Sequence, residues 1–334
     1  MSDRALTVAL VGCGLIGRKR VQALGGARLA ACADIVGARA ADLAATAPGC
    51  QSFSDWRDML AKTDCDAVIV ATLHDSLAQI AHGALNAGRH VLVEKPAARE
   101  ASELEPLLPL ARAKGLRVRV GFNHRYHRAL LKARELVDAG ALGELMFVRA
   151  RYGHGGRLGY EREWRADRKL SGGGELIDQG PHLIDLARWF LGDFTTVQGF
   201  AQTYFWNMPV DDNAFMLLRT RERKAAMLHA SWTEWKNMFS FEIYGKTGKI
   251  DINGLGGSYG TERITFYRML PQMGPPETTA WEYPGSDDSW EREFAEFADD
   301  IRLKRASAPG LEDAIAVLRI VERIYKDAGN DHRP

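Results

Sequence analysis

Leu6-Thr7-Val8-Ala9-Leu10-Val11-Gly12-Cys13-Gly14-Leu15-Ile16-Gly17 decides the fold of this chain. An apolar run, Leu6 to Val11, enters a glycine turn and leaves it as a helix-like stretch from Leu15 to Leu24. That strand-turn-helix setting is what turns a bare G-x-G-x-x-G into a dinucleotide fingerprint. The setting matters because 33 glycines in 334 residues will produce the pattern by chance. Gly12 permits the tight turn, Gly14 the close approach of a pyrophosphate, and Gly17 the contact of helix with strand, while Leu15 and Ile16 open the helix whose N–H groups face the phosphates. A second strand-like run, Arg28 to Ala33, ends at Asp34, 17 residues past Gly17. A carboxylate at that spacing accepts hydrogen bonds from the adenosine ribose and repels the extra phosphate of NADP, so NAD is the expected cofactor. Arg39 nearby leaves dual use open, and a turn-starting role for Asp34 is the plainer alternative.

Outward from this stretch, short apolar strands alternate with helical segments as far as Phe122: Thr7 to Val11, Arg28 to Ala33, Ala67 to Ala71, His90 to Glu94 and Arg117 to Gly121. The alternation predicts a doubly wound parallel sheet, and the unbroken apolar runs at 67–71 and 91–93 predict strands covered on both faces. Ligands of such a sheet bind at the C-terminal ends of its strands. After Phe122 the texture changes. A helix at Arg128 to Ala139 is followed by strands at Leu145 to Tyr152, Val197 to Tyr204, Ala214 to Arg219, Lys224 to Trp232, Phe239 to Tyr244 and Ile264 to Tyr267. Strands in close succession predict a mainly antiparallel sheet, with Gly245-Lys246-Thr247-Gly248 as a hairpin connection. Trp290 to Arg302 and Leu311 to Lys326 read as helices, and Gly254 to Pro284 as a long ordered excursion that covers the sheet, an interface or a substrate. Two domains are expected, 1–122 for the dinucleotide and 123–334 for substrate and oligomerisation.

Composition narrows the function. The chain is 46% hydrophobic and 26% charged, with 44 basic against 43 acidic residues, so capture of a nucleic acid is not expected. No apolar run approaches the ~20 residues of a membrane span, and the N-terminus lacks a signal-peptide pattern, which makes the cytoplasm the expected compartment. The four cysteines, Cys13, Cys32, Cys50 and Cys65, show no C-x-x-C spacing; they are read as reduced, and no metal site is expected.

Three further segments carry chemistry. Lys95 follows a buried strand at the end where a cofactor lies, and its ammonium suits a developing alkoxide; Pro96 makes the bond a candidate cis peptide. A surface loop is the alternative for Glu94-Lys95. Asp178 and His182 stand four apart, one helical face if the helix is continuous, and a His is suited to taking a hydroxyl proton. Pro181 implies a kink or a helix start near Gly180; a metal site with Glu175 and a capped structural helix are the competing readings. Ser171-Gly172-Gly173-Gly174 permits close backbone approach, and Asn123-His124-Arg125-Tyr126 with Trp164-Arg165 supply groups of the kind that recognise hydroxylated rings. Arg157, Arg165 and Lys236 read as spare cations which, with the loop Gly254 to Gly260, would suit the diphosphate of a nucleotide sugar.

Taken together the chain resembles the glucose-fructose oxidoreductase, inositol dehydrogenase and rhizopine-catabolism (Gfo/Idh/MocA) family nearly end to end. The likeness rests on Gly12 to Gly17, Ala71-Thr72, Ala87 to Pro96, Gly121 to Tyr126, Trp164-Arg165 and Gly172 to Asp185. It implies an N-terminal Rossmann domain and a C-terminal domain on a large, mainly antiparallel open sheet, often used for dimer or tetramer contacts. It also implies a sugar, cyclitol or sugar-derivative substrate, with Lys95 as motif lysine, Asp178 as acidic partner and His182 as acid/base. Gly12, Gly14, Leu15, Ile16, Gly17, Asp34, Ala71, Thr72, His74, Glu94, Lys95, Pro96, Asn123, Trp164 and Arg165 are then expected on NAD. Lys95, Arg125, Tyr126, Arg157, Asp178, His182 and Lys236 are expected on substrate. Leu73 and His74 stand where relatives commonly have Pro and Asn, and Leu77 where they often have His. The function expected is an NAD-dependent dehydrogenase of a secondary hydroxyl, with an NADPH-dependent ketosugar reductase and a non-catalytic sugar-sensing regulator as alternatives.

Overall fold

The structure, a computed structural model, describes residues 5–329. In chain order the elements are β1 (Thr7–Val11), α1 (Leu15–Gln22), β2 (Arg28–Ala33), α2 (Gly37–Ala44), β3 (Gln51–Phe53), α3 (Trp56–Lys62), β4 (Ala67–Val70), α4 (His74–Asn86), β5 (His90–Glu94), α5 (Ala101–Leu104), α6 (Leu107–Lys114) and β6 (Val118–Gly121). They continue with α7 (Arg128–Asp138), β7 (Leu145–Gly153), α8 (Arg168–Ser171), α9 (Glu175–Asp178), α10 (Gly180–Leu191), β8 (Phe194–Gln202), β9 (Asn213–Thr220), β10 (Ala225–Ser231) and β11 (Met238–Gly245). The last are β12 (Gly248–Asn253), β13 (Glu262–Arg268), β14 (Glu277–Tyr283), α11 (Ser289–Leu303) and α12 (Leu311–Asp327). Packing divides the chain into two compact units, Met1–Phe122 with Trp290–Ile315, and Asn123–Ser289 with Ala316–Pro334.

The first unit is built on six parallel strands in the order β3-β2-β1-β4-β5-β6. β1 and β4 are buried along their whole length, as strands between two helical layers must be. Leu10, Cys32, Ile69 and Leu92 pack with Phe294 and Phe297 of α11. Buried ion pairs hold that helix to the unit: Arg20 of α1 bonds both Glu94 (2.6 Å) and Glu293, and Arg119 of β6 bonds Asp300. The sequence order reverses between β1 and β4, so the crevice beyond their C-terminal ends is the topological switch point.

The second unit carries eight strands in the order β14-β13-β12-β11-β7-β10-β9-β8, antiparallel except for β7 and β10. Alternation sets its faces: Phe239, Phe241 and Ile243 of β11 point inward, and α10 covers β7 and β10. The other face leaves Phe200, Leu217 and Met227 about half exposed. Lys246-Thr247 makes the expected hairpin between β11 and β12. The stretch 254–284 departs from the sequence reading. Rather than an excursion over the sheet with one short strand, it extends the sheet by β13 and β14, joined by the loop at 269–276.

Candidate functional site

Four strand ends of the first unit, those of β1, β2, β4 and β5, carry residues expected on the cofactor. Gly12 sits at φ +95°, and a Cβ there would meet the carbonyl oxygen of Ala71 at 2.4 Å. The glycine turn therefore lies directly on Ala71-Thr72. Thr72 accepts a hydrogen bond from Ser76 (2.9 Å), His74 is the buried first residue of α4, and Leu73 precedes it. Glu94 ends β5 against Arg20, half-buried Lys95 follows, and the Lys95–Pro96 bond is cis. Leu15 begins α1 with no side chain capping its N-terminal N–H groups, and no heavy atom lies within 4 Å of where a Cβ on Gly14 would stand. Asp34 is held by two backbone donors, Cys13 N–H to Oδ2 and Val36 N–H to Oδ1, each 2.8 Å. Beside it Ile35 is 94% exposed, and Leu15 is 74% exposed at the turn. An open glycine cradle, an uncapped helix N-terminus, an aimed carboxylate and bare apolar side chains fit a dinucleotide. Ile35 is absent from the sequence-based expectations; its place directly after Asp34, the carboxylate expected on the ribose, was the available signal.

The second unit carries the residues expected to act as acid and base, Asp178 and His182. The helix breaks between Asp178 and His182: α9 ends at Asp178, Gln179 intervenes, and α10 starts afresh with Pro181 in its first turn. The two residues thus flank a junction, in keeping with the helix start implied by Pro181. His182 is 5% exposed, and its ring stacks on that of His124 at 3.6 Å between centroids. Tyr152 at the end of β7 stands edge-on to both rings, and Phe239 and Tyr259 pack on Tyr152 at 5.7 and 5.1 Å. Burial pushes the Tyr152 hydroxyl well above its ordinary pKa and that of Tyr259 to about 12, so both are neutral hydrogen-bonding groups. Asp178 accepts a hydrogen bond from Arg165 Nε at 2.8 Å, and the carboxylate's charge, stronger than the cost of burial, keeps that guanidinium firmly protonated.

The approach to Asp178 is fixed by Asp211, whose carboxylate accepts from Gly174 N–H (3.0 Å), Leu176 N–H (2.8 Å) and the Tyr325 hydroxyl (2.8 Å). A Cβ on Gly174 would lie 1.9 Å from the Asp211 carbonyl oxygen, so the glycine run serves backbone contact within this unit. Tyr152 and Asp211 were not among the expected site residues, and His124 and Tyr259 entered only as members of the Asn123–Tyr126 segment and the Gly254–Gly260 loop. Tyr152 is placed by β7 and Asp211 by the chain just before β9, and motif spacing carries neither.

Other expected residues find different neighbours. Arg125 is buried in a bidentate pair with Asp185 (2.8 and 2.6 Å), and Tyr126 is buried beside it in the chain. Asn123 donates to Ser289 (2.9 Å). Trp164 lies under the Arg165 guanidinium at 4.7 Å. Two of the three cations read as spare are paired: Arg157 with Glu163 (2.7 Å), and Arg165 with Asp178 and Glu163. That pairing corrects the expectation of a free cationic set for a diphosphate. Lys236 is exposed in the β10–β11 loop.

Residues 6–122 match the model for the oxidoreductase family with an NAD-binding Rossmann fold, and residues 130–251 match the GFO/IDH/MocA C-terminal domain. The chain belongs to the Gfo/Idh/MocA oxidoreductase family. Among relatives of this family, levoglucosan dehydrogenase of Pseudarthrobacter phenanthrenivorans is 28% identical over 60% of this chain and 59% of its own length. A dTDP-3,4-didehydro-2,6-dideoxy-alpha-D-glucose 3-reductase of Streptomyces violaceoruber is 32% identical over 59% and 57%. These matches thus span under two thirds of the curated relatives. A levoglucosan dehydrogenase in complex with NADH and levoglucosan shares the Gfo/Idh/MocA fold, with a TM-score of 0.88, 24% identity and 98% coverage of both chains. The first unit is an NAD-binding Rossmann domain.

Proposed function

We propose that the protein is an NAD-dependent dehydrogenase that oxidises a secondary hydroxyl of a sugar, cyclitol or sugar derivative. The observation that carries the reading is His182, buried at the N-terminal turn of a fresh helix, stacked on His124 and preceded by the Asp178–Arg165 pair. Gly12 to Gly17, Asp34, Ala71 to His74 and Glu94 to Pro96 would hold the dinucleotide, together with Asn123, Trp164 and Arg165. When bound, NAD supplies the acceptor for a hydride from the substrate C–H. His182 takes the hydroxyl proton, a task matched to an imidazole near neutral pH. Lys95 donates to the developing alkoxide, and Asp178 orients the substrate while balancing Arg165. Arg125 and Tyr126, behind the Asp185 pair, hold the 3-10 turn at Asn123–Tyr126 that presents His124. Arg157 and Lys236 serve the outer part of the substrate.

Residues 1–122 carry the cofactor function in this reading and 123–334 the substrate function and assembly. Phe200, Leu217 and Met227, exposed on one face of the eight-stranded sheet, support a homodimer or homotetramer through that sheet. Among the described residues no helix is long and apolar enough to cross a membrane, and the cytoplasm is the compartment that suits the reading. Reduction of a ketosugar is the second reading, favoured by the Streptomyces relative.

The test is NADH absorbance across free sugars, inositols, sugar acids and nucleotide sugars, with His182→Ala and Lys95→Ala beside wild type. Turnover in wild type, reduced about a hundredfold or more in both variants, with NAD affinity unchanged in His182→Ala, is expected. Wild-type rates in the His182→Ala protein would overturn the assignment.

A further inference from the structure

The loops at one end of the second unit's sheet carry more exposed aromatic surface than its packing uses. Register places them together: Gln202 pairs with Asn213, Asn213 with Ser231, Ser231 with Gly153, and Gly153 with Met238. The β8–β9 loop, the β10–β11 loop and the segment after β7 therefore share the end at which Tyr152 approaches His182. Two devices present rings there. The fully buried carboxylate of Asp212 accepts the backbone N–H groups of Tyr204 (2.9 Å), Phe205 (2.8 Å) and Trp206 (2.9 Å), fixing three successive aromatic residues. Trp235 is held at φ +57°, a left-handed backbone that strains a bulky residue. Gly155 abuts that backbone so closely that a Cβ would lie 3.0 Å from the Trp235 Cα.

The outcome of this strain is exposure. Trp235 is 66% and Phe205 57% accessible, and their rings meet edge to face at 4.7 Å. A T-shaped pair leaves three of its four ring faces uncovered by the partner. A core has no use for a strained, exposed tryptophan, and an observed outlier of this kind points toward a ligand. Polar groups alternate with the rings: Thr233, Glu234, Lys236 and Asn237 surround Trp235 in sequence. Such a mixture matches a pyranose, whose C–H face packs on an aromatic ring while its hydroxyls face polar groups. Trp235 is four residues from Phe239, which packs on Tyr152, so it lies no further from Phe239 than about 14 Å of extended chain.

We propose that Trp235 and Phe205 form an accessory subsite for a second ring, and that the substrate class is a glycoside or disaccharide rather than a free monosaccharide. The proposal rests on the dehydrogenase reading for its reaction, not for its binding site. It is tested with pairs sharing one ring, glucose against cellobiose and glucose against phenyl β-glucoside, on wild type, Trp235→Gly and Phe205→Ala. Expected is a kcat/KM for the two-ring compounds that falls about tenfold in each variant while that for glucose stays within twofold. Trp235→Gly also relieves the left-handed strain, so its Tm is no lower than wild type and misfolding does not explain the loss. Equal selectivity in wild type and variants overturns the proposal. So does loss of oligomer mass by light scattering without a change of selectivity, which would make the patch a contact between copies. If no compound yields NADH, the dehydrogenase reading is at fault, and calorimetric titration with cellobiose decides the subsite: weaker binding in Trp235→Gly upholds it, and unaltered or absent binding overturns it.

Discussion

Two glycines of one turn separate cofactor binding from folding. Gly14 lies at φ −72° and ψ −163°, a backbone that alanine adopts freely, and a Cβ there has nothing of the protein within 4 Å. Gly14→Ala removes backbone freedom from the unfolded chain and gains about 0.4–1 kcal/mol of stability. Its methyl group projects into the space by which a pyrophosphate reaches the α1 N-terminus. Losing one hydrogen bond to a charged group costs about 1.5–3 kcal/mol, roughly a ten- to hundredfold weaker NAD. Gly17→Ala behaves in the opposite way toward folding: its Cβ would lie 1.9 Å from the Gly12 carbonyl oxygen and 3.2 Å from Leu10 Cδ2. Backbone must move there, at a cost of about 1–3 kcal/mol or more. Calorimetric titration with NAD and thermal melts on the two proteins give the comparison. A Gly14→Ala protein that binds NAD within twofold of wild type would refute the view of this turn as a phosphate cradle. A Gly14→Ala protein that melts well below wild type would refute the view that the space in front of Gly14 is free.

Asp34→Ser should raise the NADP-to-NAD affinity ratio at least about tenfold, because the carboxylate aimed by Cys13 and Val36 is what repels a 2′-phosphate; titration with both dinucleotides checks it, and an unchanged ratio contradicts the role. Asp211→Ala should cost about 3 kcal/mol in urea unfolding, since Leu176 N–H and the Tyr325 hydroxyl lose their acceptor and Gly174 N–H keeps only the Tyr325 oxygen, and should lower kcat while NAD affinity stays put, because only the approach to Asp178 is loosened. Stability should fall as pH drops from 7 to 5. Burial lowers the pKa of His90 and His154 below 6.5, and each ring nitrogen Nδ1 accepts a backbone N–H, from Arg117 and Gly156, at 2.9 Å. The unfolded chain then binds more protons below about 6.5, so the contribution is complete above that pH and is lost toward the lower folded values; a Tm that is flat or rising to pH 5 contradicts it.

Strands buried on both faces are legible because burial leaves no polar positions to blur them. β1, β2 and β5 lie where their apolar runs lie, bounded by Gly12, Asp34 and Lys95. Edge strands are not legible for the converse reason. β3 is Gln51-Ser52-Phe53, with two exposed residues, and β14 is exposed along most of Glu277–Tyr283. Nothing in such a segment repeats with a period of two, and pairing with β13 is what makes it a strand. β12 was passed over although Ile250 and Ile252 alternate with Lys249 and Asp251, because four residues of alternation do not outweigh a flanking glycine at each end.

The cofactor residues expected in the first unit and the surroundings of His182 in the second differ in the same way. The glycine turn, Asp34 and Lys95 all stand at the ends of parallel strands, and a strand end is a local feature marked by a change from apolar to polar sequence. His182 too was visible by its Asp178 spacing and the Pro181 signal. Its surroundings were legible only in part: His124 stood out within Asn123–Tyr126, but its stacking on a ring 58 residues later and the meeting of Tyr152 with Phe239 through the β7–β11 register did not. This asymmetry has a physical cause. Hydride and proton transfer demand a few groups at fixed strand and helix ends, so the reaction class is written locally. Recognition of the rest of a substrate is distributed over loops whose meeting depends on sheet register, and the residues that aim those loops, Asp211, Asp212 and Gly155, are chosen for backbone geometry rather than for chemistry. If the subsite holds, a buried carboxylate that collects backbone N–H groups, or a glycine against a left-handed tryptophan, marks specificity more directly than the motifs that point to the reaction.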